Sequence, residues 1–341
     1  MSSTRGCPRL DARYIDSHNS YKNAELQGYA PAGVIYPEDA QDFALVLKTI
    51  KAICSRFAIK AAGHNTNRLF SSVNNGALLD LTHMTSKSYD ESTTLTTYEP
   101  GSTWSELYDF YLPYGRMVIG GMSYLSPPYG MACESFRELE VVLPSGDIVK
   151  VSSTENPDFF FGLRSGVNTD PKAAVLMNLN ILTTPDLEFG LDQACVMFLV
   201  YDRENPGDAF ANFTAIPYLI NTLGPRIYPE FTNLPIPKSA VISRADKRLP
   251  DWGARADDNS CRTAFDHASK TQGGNATEMP DGPSSFKAFV DGTPDAEGLP
   301  CFLNEAHVDQ ATLTTFSVYS RLQQITQKYN PDKFFVNKTG A

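Results

Sequence analysis

The chain has 341 residues, 42% apolar and 20% charged, an ordinary globular balance that excludes a disordered or fibrous protein. At about 150 residues per domain, the length predicts two domains, each able to bury a core. The net charge of −10 and a pI near 5.0 argue against a nucleic-acid or anionic-membrane partner, since both need a basic footprint. The longest apolar run, about residues 194–201, is far short of the ~20 residues of a membrane span.

In chain order, residues 38–56 place Phe43, Val46, Leu47, Ile50 and Ile53 at helical spacing, which predicts an amphipathic helix on a sheet. Residues 57–62 read as a strand ending in a polar turn from Gly63 to Asn67. Asn74-Asn75-Gly76 marks a second turn before an apolar strand at 77–81. Residues 94–98 are β-prone. Thr103 caps a helix, with Glu106 as its capping-box partner. Residues 117–119 read as a short strand ending at Gly120-Gly121. Residues 139–143 and 148–151 predict a hairpin about Pro144-Ser145-Gly146-Asp147. Asn156 before Pro157 starts a helix, and an apolar strand-like run at 173–182 closes this half.

The second half changes character. Residues 193–201 read as a buried strand, 208–220 as helix and 239–244 as a strand, while 250–300 are rich in Gly, Pro, Asp and Ser and read as long loops. Asp309 caps an expected long helix with Leu313, Phe316, Leu322 and Ile325 on one face, broken by Tyr329-Asn330-Pro331-Asp332.

Several common sites are absent. The six cysteines and five histidines are scattered, with no C-x-x-C and no H-E-x-x-H, which argues against a metal site. There is no G-x-G-x-x-G, no P-loop and no G-x-S-x-G elbow. No apolar h-region opens the chain, so a secretory or extracellular location requires a signal peptide already removed; otherwise the expected location is cytoplasmic. Three glycosylation sequons, at Asn212, Asn275 and Asn337, occur at about chance frequency.

What remains is an ordered set of pieces. Val34-Ile35-Tyr36-Pro37-Glu38-Asp39-Ala40 leads to Phe57-Ala58-Ile59-Lys60-Ala61-Ala62-Gly63-His64. Then follow Glu99-Pro100-Gly101-Ser102-Thr103-Trp104, Val118-Ile119-Gly120-Gly121, Ser126-Pro127-Pro128-Tyr129-Gly130-Met131-Ala132-Cys133 and Asn156-Pro157-Asp158-Phe159-Phe160-Phe161-Gly162. In this order they resemble the FAD-linked oxidases of the berberine-bridge-enzyme-like (PCMH) type, over roughly residues 30–185 and the tail. The resemblance implies an α+β fold. A flavin-oxidase-type domain would span 1–185, completed by 326–341. A reduced substrate domain on an antiparallel sheet would span 186–325.

The departures from the family are equally specific. The family's Gly-Gly-His turn, whose histidine carries the flavin, corresponds to His64, but Ala61 and Ala62 replace glycines and only Gly63 is kept. The glycine-rich segment that cradles the pyrophosphate is missing, since Gly121 runs directly into Met122-Ser123-Tyr124-Leu125-Ser126. A buried pyrophosphate needs N–H groups or cations around it, and residues 122–128 contain no Gly, Lys or Arg. The expectation is therefore a protein with no cofactor. FAD, held at Gly63 and His64, is the alternative.

On this reading the vacated cavity binds a small apolar natural-product intermediate. The protein would act as a cofactor-independent cyclase of the hetero-Diels–Alderase kind found in fungal tropolone–terpenoid pathways. Orientation alone could supply several kcal/mol of the barrier. The alternatives are an FAD-dependent oxidoreductase with non-covalent flavin and a non-catalytic carrier. The expected site residues are His64 as acid or base, Arg116 as a polarising cation, and Tyr124 and Tyr129 at the edge of the deletion. Each also has an ordinary reading, as a turn histidine, a surface cation or half-buried tyrosines. The resemblance further implies a Cys7–Cys54 disulfide in an oxidising compartment, while Cys133 reads as a small buried hydrophobe.

Overall fold

A computed structural model of the chain describes residues 6–7, 11–65, 67–120, 129–164 and 312–335, the backbone of 175–182 and 194–201, and short pieces between 207 and 230. The N-terminal part begins with strand β1 (Gly6–Cys7), helix α1 (Ala12–Asn19), strand β2 (Gly33–Ile35) and helix α2 (Ala40–Ala52). Strands β3 (Phe57–Lys60) and β4 (Ala77–Asp80) follow. The sheet order is β1-β2-β4-β3, with β2 and β3 both parallel to β4 and β1 antiparallel to β2. Parallel strands need a crossover, which α2 supplies between β2 and β3.

The helical spacing of 38–56 has its expected consequence. Asp39 caps α2 by accepting from the Asp42 N–H at 2.8 Å. Leu47 and Ile50 are buried against Phe57, Leu79 and Phe334, with Phe43, Val46 and Val142 packed beside them. The opposite sheet face packs Val34, Ala58 and Leu78 against Tyr14 of α1, Tyr36 and Val73. Because both faces are covered, β3 and β4 are apolar at almost every position, and each ends in a buried charge, Lys60 or Asp80.

Beyond this sheet, β5 (Lys87–Asp90) and β6 (Leu95–Tyr98) form a hairpin, followed by α3 (Trp104–Tyr111). Thr103 and Glu106 close the expected capping box. The hairpin of β7 (Glu138–Val142) and β8 (Ile148–Ser152) leads to α4 (Pro157–Leu163), and Asn156 enters that helix in the left-handed region, φ 52°. Strands β9 (Val175–Leu182) and β10 (Ala194–Tyr201) pair antiparallel over their full lengths. Helix α5 (Tyr319–Tyr329) lies on α4, where Lys328 meets Asp158 at 2.6 Å and the Tyr329 ring stacks on Phe159 at 4.1 Å.

Several expectations need correction. Residues 117–119 form no strand among the described residues; they lead to Gly120, which packs closely against Tyr108 and Trp104 of α3. The last helix begins at Tyr319, after a 3-10 turn at Thr312–Thr315, so Leu313 and Phe316 do not share its face. Within 208–220, only Ala211–Thr214 is helical among the described residues. The readings at 239–244, 250–300 and Asp309 lie outside the described residues. The Cys7–Cys54 bridge is not formed. Cys54 is an exposed free thiol at the left-handed end of α2, directed back to the Lys51 carbonyl at 3.8 Å. No helix among the described residues is long and apolar enough to cross a membrane.

Candidate functional site

The carboxyl ends of β3 and β4 lie side by side, with Lys60 opposite Asp80. From β3 the chain turns through Ala61-Ala62-Gly63-His64 and returns along a loop to β4. Gly63 takes φ +71°, and a Cβ there would come within 3.2 Å of the Ser20 carbonyl and 3.3 Å of the Tyr21 Cα. Ala61 and Ala62 keep ordinary negative φ. The two alanines that replace family glycines therefore cause no backbone strain, and the one position that requires glycine has kept it. His64 is exposed at the turn.

Beneath this turn lies a buried polar network. Lys60 Nζ donates to Asp80 Oδ2 at 2.6 Å and to Ser17 Oγ at 3.4 Å, and neither charged side chain is more than 1% exposed. Ser17 Oγ also donates to Asp80. Thr82 donates to Asp80 Oδ1 through its N–H at 3.1 Å and its hydroxyl at 2.6 Å. Burial would raise the Asp80 pKa, but the Lys60 charge and the hydrogen bonds from Lys60, Ser17 and Thr82 hold it below the usual carboxylate range. Lys60 Nζ also sits 5.4 Å from the Tyr21 ring centroid. Burial, followed by the Asp80 charge, pushes the Tyr21 phenol well above its ordinary range. That phenol donates to the Ser71 carbonyl at 2.5 Å, and the Lys22 N–H donates to the Gly63 carbonyl at 3.1 Å.

The same loop holds a buried hydroxyl, Ser71 Oγ, with no hydrogen-bond partner among the described residues. An unsatisfied buried hydroxyl costs stability unless a ligand or water completes it. A left-handed glycine turn and an unpartnered hydroxyl at the carboxyl end of parallel strands suit a bound phosphate group. The described part of the site therefore fits an FAD pyrophosphate. Residues 121–128, where the family's glycine-rich segment is missing, lie outside the described residues, and Tyr124 with them.

The remaining expected site residues stand on separate elements. Arg116 is exposed after α3, and its Nε donates to the Tyr89 hydroxyl on β5 at 2.9 Å. Tyr89 in turn lies against the Tyr114 ring at 4.9 Å. Tyr129 is 60% exposed just before the helical turn Ala132–Ser135. Sequence reasoning missed Lys60, Asp80, Ser17 and Tyr21. The available signal was a charge ending each of two otherwise apolar strands, Phe-Ala-Ile-Lys and Ala-Leu-Leu-Asp, a placement that calls for a buried partner.

Residues 31–120 match the family model described as "FAD binding domain". An uncharacterized FAD-linked oxidoreductase of Arthroderma benhamiae is 27% identical over 277 residues, 63% of this chain and 54% of that protein. An FAD-dependent monooxygenase of Cercospora beticola is 30% identical over 179 residues, 46% of this chain and 34% of its own. A bifunctional solanapyrone synthase of Alternaria solani is 28% identical over 152 residues, 40% and 30% of the two chains. The chain thus spans about half, or less, of the curated relatives it matches. Among solved structures, 6-hydroxy-D-nicotine oxidase from Arthrobacter nicotinovorans superposes with a TM-score of 0.66 at 15% identity, covering 98% of this chain and 97% of that one. This likeness shows the fold, an α+β FAD-linked-oxidase architecture. The expectation of no cofactor is overturned by the FAD binding domain match and the FAD-linked relatives. For the alanines the physical reason is local, since the glycines at 61 and 62 were not needed for the turn; the missing glycine-rich segment after Gly121 falls in 121–128, outside the described residues.

Proposed function

We propose that this chain, similar to the FAD-linked oxidases of the berberine-bridge-enzyme-like type, is an FAD-dependent oxidoreductase acting on a small apolar natural-product intermediate. The observation that carries this reading is that the FAD binding domain match covers the residues that build the Gly63–Ser71 loop. Gly63, His64 and Ser71 would hold the cofactor, which when bound supplies two-electron oxidation. Gly63 keeps the loop in its left-handed turn against the Ser20–Tyr21 backbone, and Ser71 would offer a hydroxyl to a phosphate oxygen. His64, exposed in the turn after β3, would attach to the cofactor or move a proton beside it. Arg116, Tyr124 and Tyr129 are proposed to orient the substrate's oxygens. The division into 1–185 with 326–341, and 186–325, is part of the same proposal.

A second reading draws support from the relative named as a bifunctional solanapyrone synthase. In it, the same pocket also holds an oxidised intermediate in a conformation that cyclises, a step in which orientation is the main contribution. One experiment separates the two. Anaerobic addition of phenolic and terpenoid candidates to FAD-loaded protein should bleach the flavin absorbance, and air should restore it. A ring-closed product formed without any bleaching would count against the oxidoreductase.

A further inference from the structure

We infer that the buried Lys60–Asp80 pair is a positioning device for the 61–72 loop, so that Lys60, Asp80 and Tyr21 set the affinity of that loop for the cofactor's phosphates without touching them. This rests on the flavin reading above. A buried ion pair is weak evidence of stability, since an apolar pair of similar volume often serves the core as well or better. What distinguishes this pair is where its contacts lead. Ser17 brings α1 to it, and Thr82 brings the turn after β4. Lys60 lies over the Tyr21 ring.

Tyr21 is the link to the loop. Its hydroxyl holds the Ser71 carbonyl at 2.5 Å, beside the unpartnered Ser71 hydroxyl. The next residue, Lys22, holds the Gly63 carbonyl at 3.1 Å, and Ser20 and Tyr21 form the backbone wall against which Gly63 packs. The loop is therefore fixed at both its glycine and its serine by one short segment, 20–22. The Lys60 ammonium braces that segment from below, and Asp80 holds Lys60 in place. Without the charge, the core can still fill, but the segment and the loop lose their common anchor. A loop that must be ordered on binding binds its ligand less tightly than one already in place.

The test uses the full chain with two variants. Lys60→Met combined with Asp80→Asn removes both charges, keeps an oxygen for Thr82 and turns an amide N–H to the Ser17 hydroxyl, which can accept it. Tyr21→Phe keeps the ring and removes only the tie to Ser71. Three quantities are read: melting temperature, amide hydrogen exchange across 61–72, and FAD affinity from quenching of flavin fluorescence. The expected result is a melting temperature close to wild type. Loop exchange should be faster and FAD binding weaker, each by roughly tenfold, the scale of ordering one further flexible side chain on binding. A folded double variant with wild-type loop exchange and wild-type FAD affinity overturns the inference. If the double variant does not fold, Tyr21→Phe decides by the same two readouts. If the wild-type protein takes up no FAD, the flavin reading fails and loop exchange alone decides: faster exchange in the variants upholds the positioning role, and unchanged exchange overturns it.

Discussion

Phe334, close to the C-terminus, sits in the core of the N-terminal sheet. Its ring is 5% exposed, stacks on Phe57 at 5.3 Å and meets Phe335 edge-on at 5.5 Å. Leu47 and Ile50 of α2 and Leu79 of β4 complete the cluster, and Lys51 lies over the ring at 5.5 Å. Phe334→Ala would leave a cavity between a helix and a sheet that are each held by their own hydrogen bonds, so the site can collapse only partly. Truncations of this kind cost about 3–5 kcal/mol, the upper end applying where relaxation is least. At roughly 2–4 °C per kcal/mol for a domain of this size, the melting temperature should fall by about 6–20 °C. Phe335→Ala, at a half-buried ring on the cluster's edge, should cost clearly less. Urea unfolding followed by far-ultraviolet circular dichroism measures both. A loss below about 1 kcal/mol for Phe334→Ala, the scale of an ordinary surface change, would refute the claim that the tail completes the N-terminal core.

Other outcomes follow from single contacts. Gly63→Ala places a Cβ at φ +71° against the Ser20 carbonyl and should destabilise by about 1–2 kcal/mol, seen in thermal melts, with weaker FAD binding. Thr103→Ala removes the capping box of α3 and should cost about 1 kcal/mol in urea unfolding. Asp158 is held down to about 2, first by its hydrogen bond from Lys328 and then, against a small burial effect, by Tyr329. Because its folded pKa lies below the unfolded value, the stabilisation is fully present above the ordinary carboxylate range and is lost as pH falls toward about 2. The pair is solvent-exposed, so the effect should be small and should shrink in salt. Comparing wild type with Asp158→Asn across acid unfolding checks both the sign and the salt dependence.

Much of the N-terminal fold was legible because periodicity and turn chemistry agree there. The apolar stripe of α2, the capping box at Thr103 and Glu106, the hairpin about Pro144–Asp147 and the start at Asn156-Pro157 are local signals, and each formed. Helix α1 went unread because its sequence buries only Tyr14 and Ser17, too few apolar positions to show a stripe. Strand β5, Lys-Ser-Tyr-Asp, is polar and exists through pairing with β6 rather than through its own burial. Met117, Val118 and Ile119 suggested a strand, but this segment runs without strand pairing among the described residues into Gly120, which packs on Trp104 and Tyr108. The site was half legible. The His64 turn stood out by its motif, whereas its support, Lys60 and Asp80, depends on a parallel register that no local pattern reveals. The missing segment after Gly121 suggested a lost cofactor site, and the alanines at 61 and 62 added to it because the sequence does not show which glycine of a turn needs a positive φ.

The central claim is that this chain binds FAD through the Gly63–Ser71 loop. Thermal unfolding of flavin-depleted protein across a series of FAD concentrations tests it most directly, with Gly63→Ala as the paired variant. A ligand that binds only the folded state raises stability by about 2.7 kcal/mol at a hundred times its dissociation constant. The account predicts a saturable rise in melting temperature for the wild type and a rise shifted to higher FAD concentration for Gly63→Ala. A melting temperature that does not move with FAD, in protein that yields no flavin on denaturation, would contradict it.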